Sequence, residues 1–385
     1  MRGTKSLAVG FAAGSLLLMG ACSRAKAPGR WLPIDTKVGD AFTIGNFLDE
    51  NTGWINGFTD RDYAPPEDTE GSNSNANASA RKPEKKAGKT EDPLKANQGF
   101  EVLQTTDGGQ TWSQLPNQFK HKIRSVWFVD STQGWALTIA RDILHTIDGG
   151  ATWETQRKAK IVTLKLFGNR RQPETKQPEQ IERVYFSDSR HGWAWGGGRK
   201  DQYAEQPGTF LSTVDGGQNW NEIPYPFPQN VWSIFFLNSQ TAWANDADGG
   251  LYRTNDGGLN WTKLNGKMPE MLFDSIFFLD GNYGWVAGRS GRLANTSDGG
   301  RTWKKIHSIR DEFKMRSVGF FDREHGWAVG DNGALLYTAD GGESWSDYSI
   351  GGYGDLKDLV LFRGRGGWAV GLGGTVLRYD LAGSD

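Results

Sequence analysis

Cysteine is nearly missing from this 385-residue chain, occurring once, at Cys22. One thiol excludes intrachain disulfides and any cysteine-built metal site. Histidine is scarce too. His121, His145, His191, His307 and His325 show no metal-ligand spacing, so neither a metal nor a cofactor is expected. No phosphate loop and no nucleophile elbow occurs. Charge of one sign is also absent, because a net charge of −1 removes any global electrostatic case for nucleic acid. Long apolar runs are missing as well. The one candidate, Leu7 to Met19, is too short and too abruptly ended for a spanning helix.

That run reads as a processing signal over residues 1–22. Arg2 and Lys5 supply a short basic region, and the segment closes on Met19-Gly20-Ala21-Cys22. Small residues directly before the single cysteine resemble a bacterial lipobox, which implies cleavage before Cys22 and lipid attachment to its thiol. Residues 23–30 then form a short linker. The expected location is extracytoplasmic, on the surface of the membrane that carries the anchor.

What is abundant is glycine, at 52 residues, and tryptophan, at 17. Both are deployed in a repeat. The boxes TTDGGQTW, TIDGGATW, TVDGGQNW, TNDGGLNW, TSDGGRTW and TADGGESW place aspartates at Asp107, Asp148, Asp215, Asp256, Asp298 and Asp340, 41 or 42 residues apart where nothing is inserted. A Gly-Trp pair (once Ala-Trp) recurs seven times, at Trp54, Trp135, Trp193, Trp243, Trp285, Trp327 and Trp368. In four repeats it precedes the box aspartate by 13 residues. Short apolar strands such as IRSVWFVD and DSIFFLD come before it, and no helical periodicity appears in the unit. Four-stranded units of this length predict an all-β propeller over residues 31–380. The last unit stops without a fourth strand. Residues 31–35, beginning at Trp31, resemble the strand after each box and are expected to complete it, closing seven blades and removing two unpaired edges.

An aspartate in a tight turn accepts hydrogen bonds from nearby backbone, and glycines tolerate positive φ, so the boxes read as turn structure. Repetition in every blade spreads them around a rim, where they cannot converge on one substrate. The pattern GWAVGDNGALLYTADGGESW resembles the Asp-box propellers, and among them the photosystem II stability and assembly factor family with its relatives in non-photosynthetic bacteria. The resemblance covers about residues 31–380. It implies a non-enzymatic, lumenal or lipid-anchored factor that holds newly made membrane-protein subunits. The expected partner is thus a membrane-protein complex or its assembly intermediate, and the chain is expected to be a monomer.

Three intervals exceed the repeat. Blade 1 carries about 40 extra residues, a low-complexity insert at about 59–98 that is expected to be disordered. About 16 extra residues lie between blades 2 and 3, and about nine within blade 3. Strand parity puts all three at one end of the blades and the boxes at the other. Loops on a rigid scaffold are where binding is usually placed. The insertion face brings a candidate basic patch of Arg157, Lys158, Lys160, Arg170, Arg171, Arg199 and Lys200, diluted by Glu179 and neighbouring acids. A candidate ring at the channel mouth runs Thr43, Arg124, Glu182, Trp232, Asp274, Arg316 and Lys357. Trp195 and Trp232 lie outside the two tryptophan positions of the repeat and are candidates for an aromatic platform. The alternative to a binding platform is an Asp-box glycoside hydrolase or glycan-binding propeller of sialidase type. The Arg-Ile-Pro motif of those enzymes is absent, their blades number six, and no local sequence marks an opposed carboxylate pair.

Overall fold

In the computed structural model, seven four-stranded antiparallel sheets form a closed propeller, with an eighth, smaller sheet added outside the repeat. The structure describes residues 27–36, 41–58, 101–116, 123–166, 175–200, 204–206, 208–264, 273–306, 313–363 and 366–381. The signal segment, residues 23–26 and the blade 1 insert at 59–98 lie outside these. Blade 2 shows the unit: Ile123–Phe128 innermost, then Gly134–Thr138, Ile143–Thr146 and the outer Glu154–Arg157. In the last blade Gly29–Pro33 pairs antiparallel with Val376–Leu381 and supplies the missing outer strand. It starts two residues earlier than the expected 31–35. The reason is local: Trp31 fills the place of a box tryptophan, but no box turn precedes it, so pairing continues back to Gly29 opposite Leu381.

The core is divided among the interfaces between blades. The Gly-Trp indole of one blade lies flat on a phenylalanine of the next. Trp54 stacks on Phe128 at 3.8 Å, Trp135 on Phe186 at 3.5 Å, Trp243 on Phe278 at 3.7 Å and Trp285 on Phe320 at 3.6 Å, all within 13° of parallel. The glycine before the tryptophan sits across the ladder from its own blade's phenylalanine, the ring that carries the preceding blade's indole, as Gly284 does from Phe278. A Cβ at Gly284 would lie 2.4 Å from the Phe278 ring, so glycine lets the ring fold over the strand without displacement. Blade 4 is the exception, with Ala242 opposite Phe236. There the Trp193–Phe236 pair opens to 4.2 Å and tilts by 27°.

Many of these indoles also carry a polar link. Trp193, Trp243 and Trp285 donate from Nε1 to the carbonyls of Gly257, Gly299 and Gly341, at 2.7, 2.9 and 2.7 Å. Each acceptor is the first glycine of the next blade's box. The blade 7 seam is built differently. Leu361 replaces the phenylalanine opposite Gly367, and Trp327 instead meets Trp31 edge-on at 5.6 Å and Tyr379 at 5.3 Å. Arg378 Nη1 donates to the Gly108 carbonyl at 2.7 Å, doing at the seam what the indole does elsewhere.

Gly284→Ala is expected to destabilise the protein by about 1–3 kcal/mol through overpacking. Gly351→Ala, with nothing within 4 Å of its added Cβ, should stay within about 0.5 kcal/mol. Equilibrium denaturation compares the two.

Candidate functional site

The Asp boxes form one face. In each, the aspartate folds its own turn. Asp148 Oδ1 accepts from Thr146 Oγ1 at 2.7 Å and from the Thr152 backbone at 2.8 Å, while Oδ2 accepts from Thr152 Oγ1 at 2.6 Å. Gly149 and Gly150 supply the positive φ, +72° and +94°, that the turn needs. The Thr152 and Thr146 hydrogen bonds hold the Asp148 carboxyl down at about 2. The same local pattern binds Asp107, Asp215, Asp256, Asp298 and Asp340. Their carboxylates thus lie in separate blades, each engaged within its own turn.

Box turns join third to fourth strands, so links from a fourth strand to the next blade, and from second to third strands, emerge at the opposite end. There the insertions of blades 2–3 and 3 fold together. Ile161–Leu166 pairs with Thr175–Pro178 as one hairpin, and Arg199–Lys200 with Ala204–Gln206 as another. Lys165 opposite Glu205 and Leu166 opposite Ala204 join them into the eighth sheet. Sequence reading expected loops here. Hairpins form because each insertion doubles back on itself and their neighbouring positions let the edges pair.

This sheet changes the setting of the basic residues. Arg157 grips Glu179 with both guanidinium nitrogens, Nη2 to Oε2 at 3.1 Å, and the two side chains are only 11% and 6% exposed. Lys160 Nζ pairs with Glu222, which also lies 3.8 Å from Arg157. Both cations are engaged with acids of the chain itself. Lys158 is exposed. Arg199 and Lys200 lie on the added hairpin, and Arg170 and Arg171 fall outside the described residues.

The channel mouth opens on the same face. Six of the seven innermost strands break register at one place, between Phe42 and Ile44, Ile123 and Ser125, Val231 and Ser233, Phe273 and Ser275, Met315 and Ser317, and Leu356 and Asp358. The skipped residue is the one singled out in sequence: Thr43, Arg124, Trp232, Asp274, Arg316 and Lys357. In blade 3 Glu182 takes the matching place, its backbone N–H donating to the Trp195 carbonyl at 2.8 Å. A bulge re-aims a side chain, and four of these seven, Trp232, Asp274, Arg316 and Lys357, line a cavity of about 860 Å³ along the axis, together with Arg183 one residue beyond Glu182. Ion pairs knit the rim. Arg124 approaches Glu182 at 3.9 Å, Lys314 reaches Asp274 at 3.0 Å, and Arg316 holds Asp331 at 2.7 Å. Asp355 is shared by Lys357 at 2.9 Å and Arg316 at 3.7 Å. Burial pushes the Asp274 carboxyl up, against the pull of Lys314. Trp232 is half-buried with the Arg289 guanidinium 5.7 Å above its ring. Trp195 is 6% exposed and packs toward Phe236 in the core between blades 3 and 4, so the two tryptophans do not form one open platform.

One layer deeper the channel holds Ser125, Ser233, Ser275 and Ser317, with Arg183 and Asp358 breaking the column. These two are electrostatically coupled. Burial raises Asp358 to about 6, while the Leu359 backbone N–H, Arg183, the Gly45 backbone N–H and the Ser317 hydroxyl hold it from rising further. Water reaches Arg183 along the channel, yet the walls crowd its guanidinium enough to lower its pKa. Sequence reading missed this pair. Its signal was available, since aligned repeats show serine in that column four times.

Residues 105–268 and 263–352 match the family model described as photosynthesis system II assembly factor YCF48. The photosystem II assembly lipoprotein Ycf48 of Synechococcus sp. (strain CC9902) is 27% identical over 159 residues, which span 40% of this chain and 40% of that relative. Among solved structures, YCF48 from Cyanidioschyzon merolae is similar with a TM-score of 0.62 and 17% identity, over 91% of this chain and 98% of that one. A YCF48 bound to a D1 peptide is similar at 0.61 and 17%, over 92% and 96%. A streptogramin B lyase structure reaches 0.57 at 9% identity, over 91% and 97%. At such identities these structures share the fold alone.

Arg157→Ala would strand the buried Glu179 carboxylate, a loss of about 3–5 kcal/mol for a buried pair. Hydrogen exchange should show it first in residues 161–166 and 175–178. Because Asp358 has a higher pKa folded than unfolded, the folded chain binds the extra proton. Stability is therefore expected to fall as pH rises from about 4 to about 6 and then to level off. Asp358→Asn should flatten that slope in pH-dependent denaturation, and Arg183→Gln should move the Asp358 midpoint upward in carboxyl NMR.

Proposed function

The chain belongs to the YCF48 family of photosystem II assembly factors, and on that premise we propose that it is a non-catalytic propeller that holds an extramembrane segment of a membrane-protein subunit during assembly. The segment sits at the channel mouth of the insertion face. The observation that carries this reading is the shared register break, which turns Trp232, Arg316 and Lys357 toward one opening. A half-buried tryptophan offers an apolar contact of the kind that dominates protein interfaces. The rim ion pairs are partly solvated, and such pairs are worth roughly 0–1 kcal/mol. Charges of an incoming segment therefore replace them at small cost. The solved YCF48 with a bound D1 peptide shows that a relative of this fold takes a peptide. The box carboxylates are engaged in their own turns, which supports a platform over a hydrolase.

The same reading includes a lipid anchor at Cys22, an extracytoplasmic position and a monomeric chain. Cys22→Ala is expected to abolish labelling by a fatty-acid probe and to move the protein from membrane to soluble fractions. The binding claim is tested by reversible crosslinking on membranes with the full-length chain. Trp232→Ala combined with Lys357→Glu should cut partner recovery at least tenfold, while Gln110→Glu on the box face leaves it unchanged. Equal recovery from all three would remove the mouth as the binding site, and turnover on a glycan panel would overturn the non-catalytic assignment.

A further inference from the structure

The polarity of the closing strand sets the face from which the N-terminal segment leaves the propeller. Gly29–Pro33 occupies the place of a strand that follows a box, so its N-terminal end lies at the box face. Gly29 pairs with Leu381, beyond the point where other blades turn, and the Ala27 backbone N–H is held by the Tyr348 hydroxyl at 3.0 Å. Only five peptide steps separate Ala27 from Cys22. Fully extended they reach at most about 18 Å. Gly29 to Pro33 alone climbs about 13 Å along the blade, and the added sheet stands on the far face. A tether of that length cannot comfortably pass the blade and the added sheet to lay the insertion face on a bilayer.

The box face also carries an apolar arc. Ile147, Val214 and Leu259 are 71%, 55% and 60% exposed, in the boxes of blades 2, 3 and 4. The repeat supplies its own control. The position of Ile147 and Val214 reads Thr106, Asn255, Ser297 and Ala339 in the other boxes, and that of Leu259 reads Gln110, Ala151, Gln218, Arg301 and Glu343. Large apolar residues are thus confined to three consecutive blades, across the ring from the tethered seam. Ile139 and Ile161 are exposed too, at 45% and 64%, but at the opposite end of the blades. The strand that leads to Cys22 enters at the box face, the face that carries the first of these two sets.

We propose that the propeller lies with its box face on the lipid surface, tethered at blade 7 and seated through Ile147, Val214 and Leu259, with the channel mouth turned away from the bilayer. This rests on the lipid anchor at Cys22 included in the function above. Apolar side chains at an interface add binding in proportion to buried area, and an anchor on one side with an apolar contact on the other holds a flat orientation.

The test uses the full-length lipidated chain in phosphatidylcholine vesicles. A second thiol is introduced as Val214→Cys on the box face or as Lys176→Cys on the added sheet, where Lys176 is exposed, and labelled with a donor dye against a headgroup acceptor. Energy transfer at least twofold greater from position 214 than from 176 is expected. Equal or reversed transfer, with the protein still floating with the vesicles, overturns the orientation and leaves the anchor standing. Failure of the unsubstituted chain to float overturns the anchor, and the orientation with it. Ile147→Asp with Leu259→Asp, read from the label at 214, should at least halve the transfer while flotation persists. Unchanged transfer would remove the apolar arc from the contact.

Discussion

Everything in this fold leans on the indole of the Gly-Trp pair. It joins neighbouring blades by dispersion, through a ring stacked at 3.5–3.8 Å in four interfaces. In four of the described interfaces it adds a directed hydrogen bond to the next blade's box glycine. Stacked aromatic pairs contribute about 0.5–1.5 kcal/mol beyond the area they bury, and the hydrogen bond satisfies a donor that would otherwise be stranded in an apolar interface. The box is therefore half of a joint. Its aspartate shapes the turn, the turn presents a carbonyl, and the carbonyl receives the neighbour's indole. Blade 4, with alanine in the glycine position, shows how small the tolerance is: one methyl group accompanies a tilt of 27° in the stack.

Because that joint repeats at a fixed spacing, the architecture was readable from sequence. Asp107 through Asp340 set the period, and Trp31 announced that the seventh blade would be finished from the other end of the chain. Strand parity correctly separated the box turns from the insertions at blades 2–3 and 3, while the blade 1 insert lies outside the described residues. The secondary structure of the insertions was not readable. Residues 161–166 and 204–206 pair with each other only because two adjacent blades place them side by side, a relation with no periodic trace. Glu179 looked like a diluting acid among lysines and arginines, yet its position on the added hairpin's exit buries it against Arg157.

The channel mouth shows a middle case. Aligned repeats singled out Trp232, Asp274, Arg316 and Lys357, which line the cavity, but not the backbone irregularity that puts them there. Local sequence does not mark a bulge when the residues around it differ in each blade, as Arg124, Trp232 and Asp274 do. Packing of the seven inner strands around one axis imposes it. The deeper Arg183 and Asp358 illustrate a related point. Each is an ordinary charged residue in its own strand, and only ring closure places blade 3 and blade 7 around the same cavity. Their altered proton affinities belong to the ring and to neither strand alone.

The seam between Gly29–Pro33 and Val376–Leu381 has a consequence for how the chain is made. A strand made before blade 1 pairs with one made late in blade 7, 352 residues apart at Gly29 and Leu381. Contacts of such separation are the slowest to form, because chain entropy must be lost before they return any energy. Until residues 376–381 are made, the last blade lacks the strand that joins Gly29–Pro33 to the ring, and the row of blades keeps two bare ends. A nascent chain in that state has two strand edges open to any other extended polypeptide. The edges of the ring are covered only once residues 376–381 are available to pair with Gly29–Pro33.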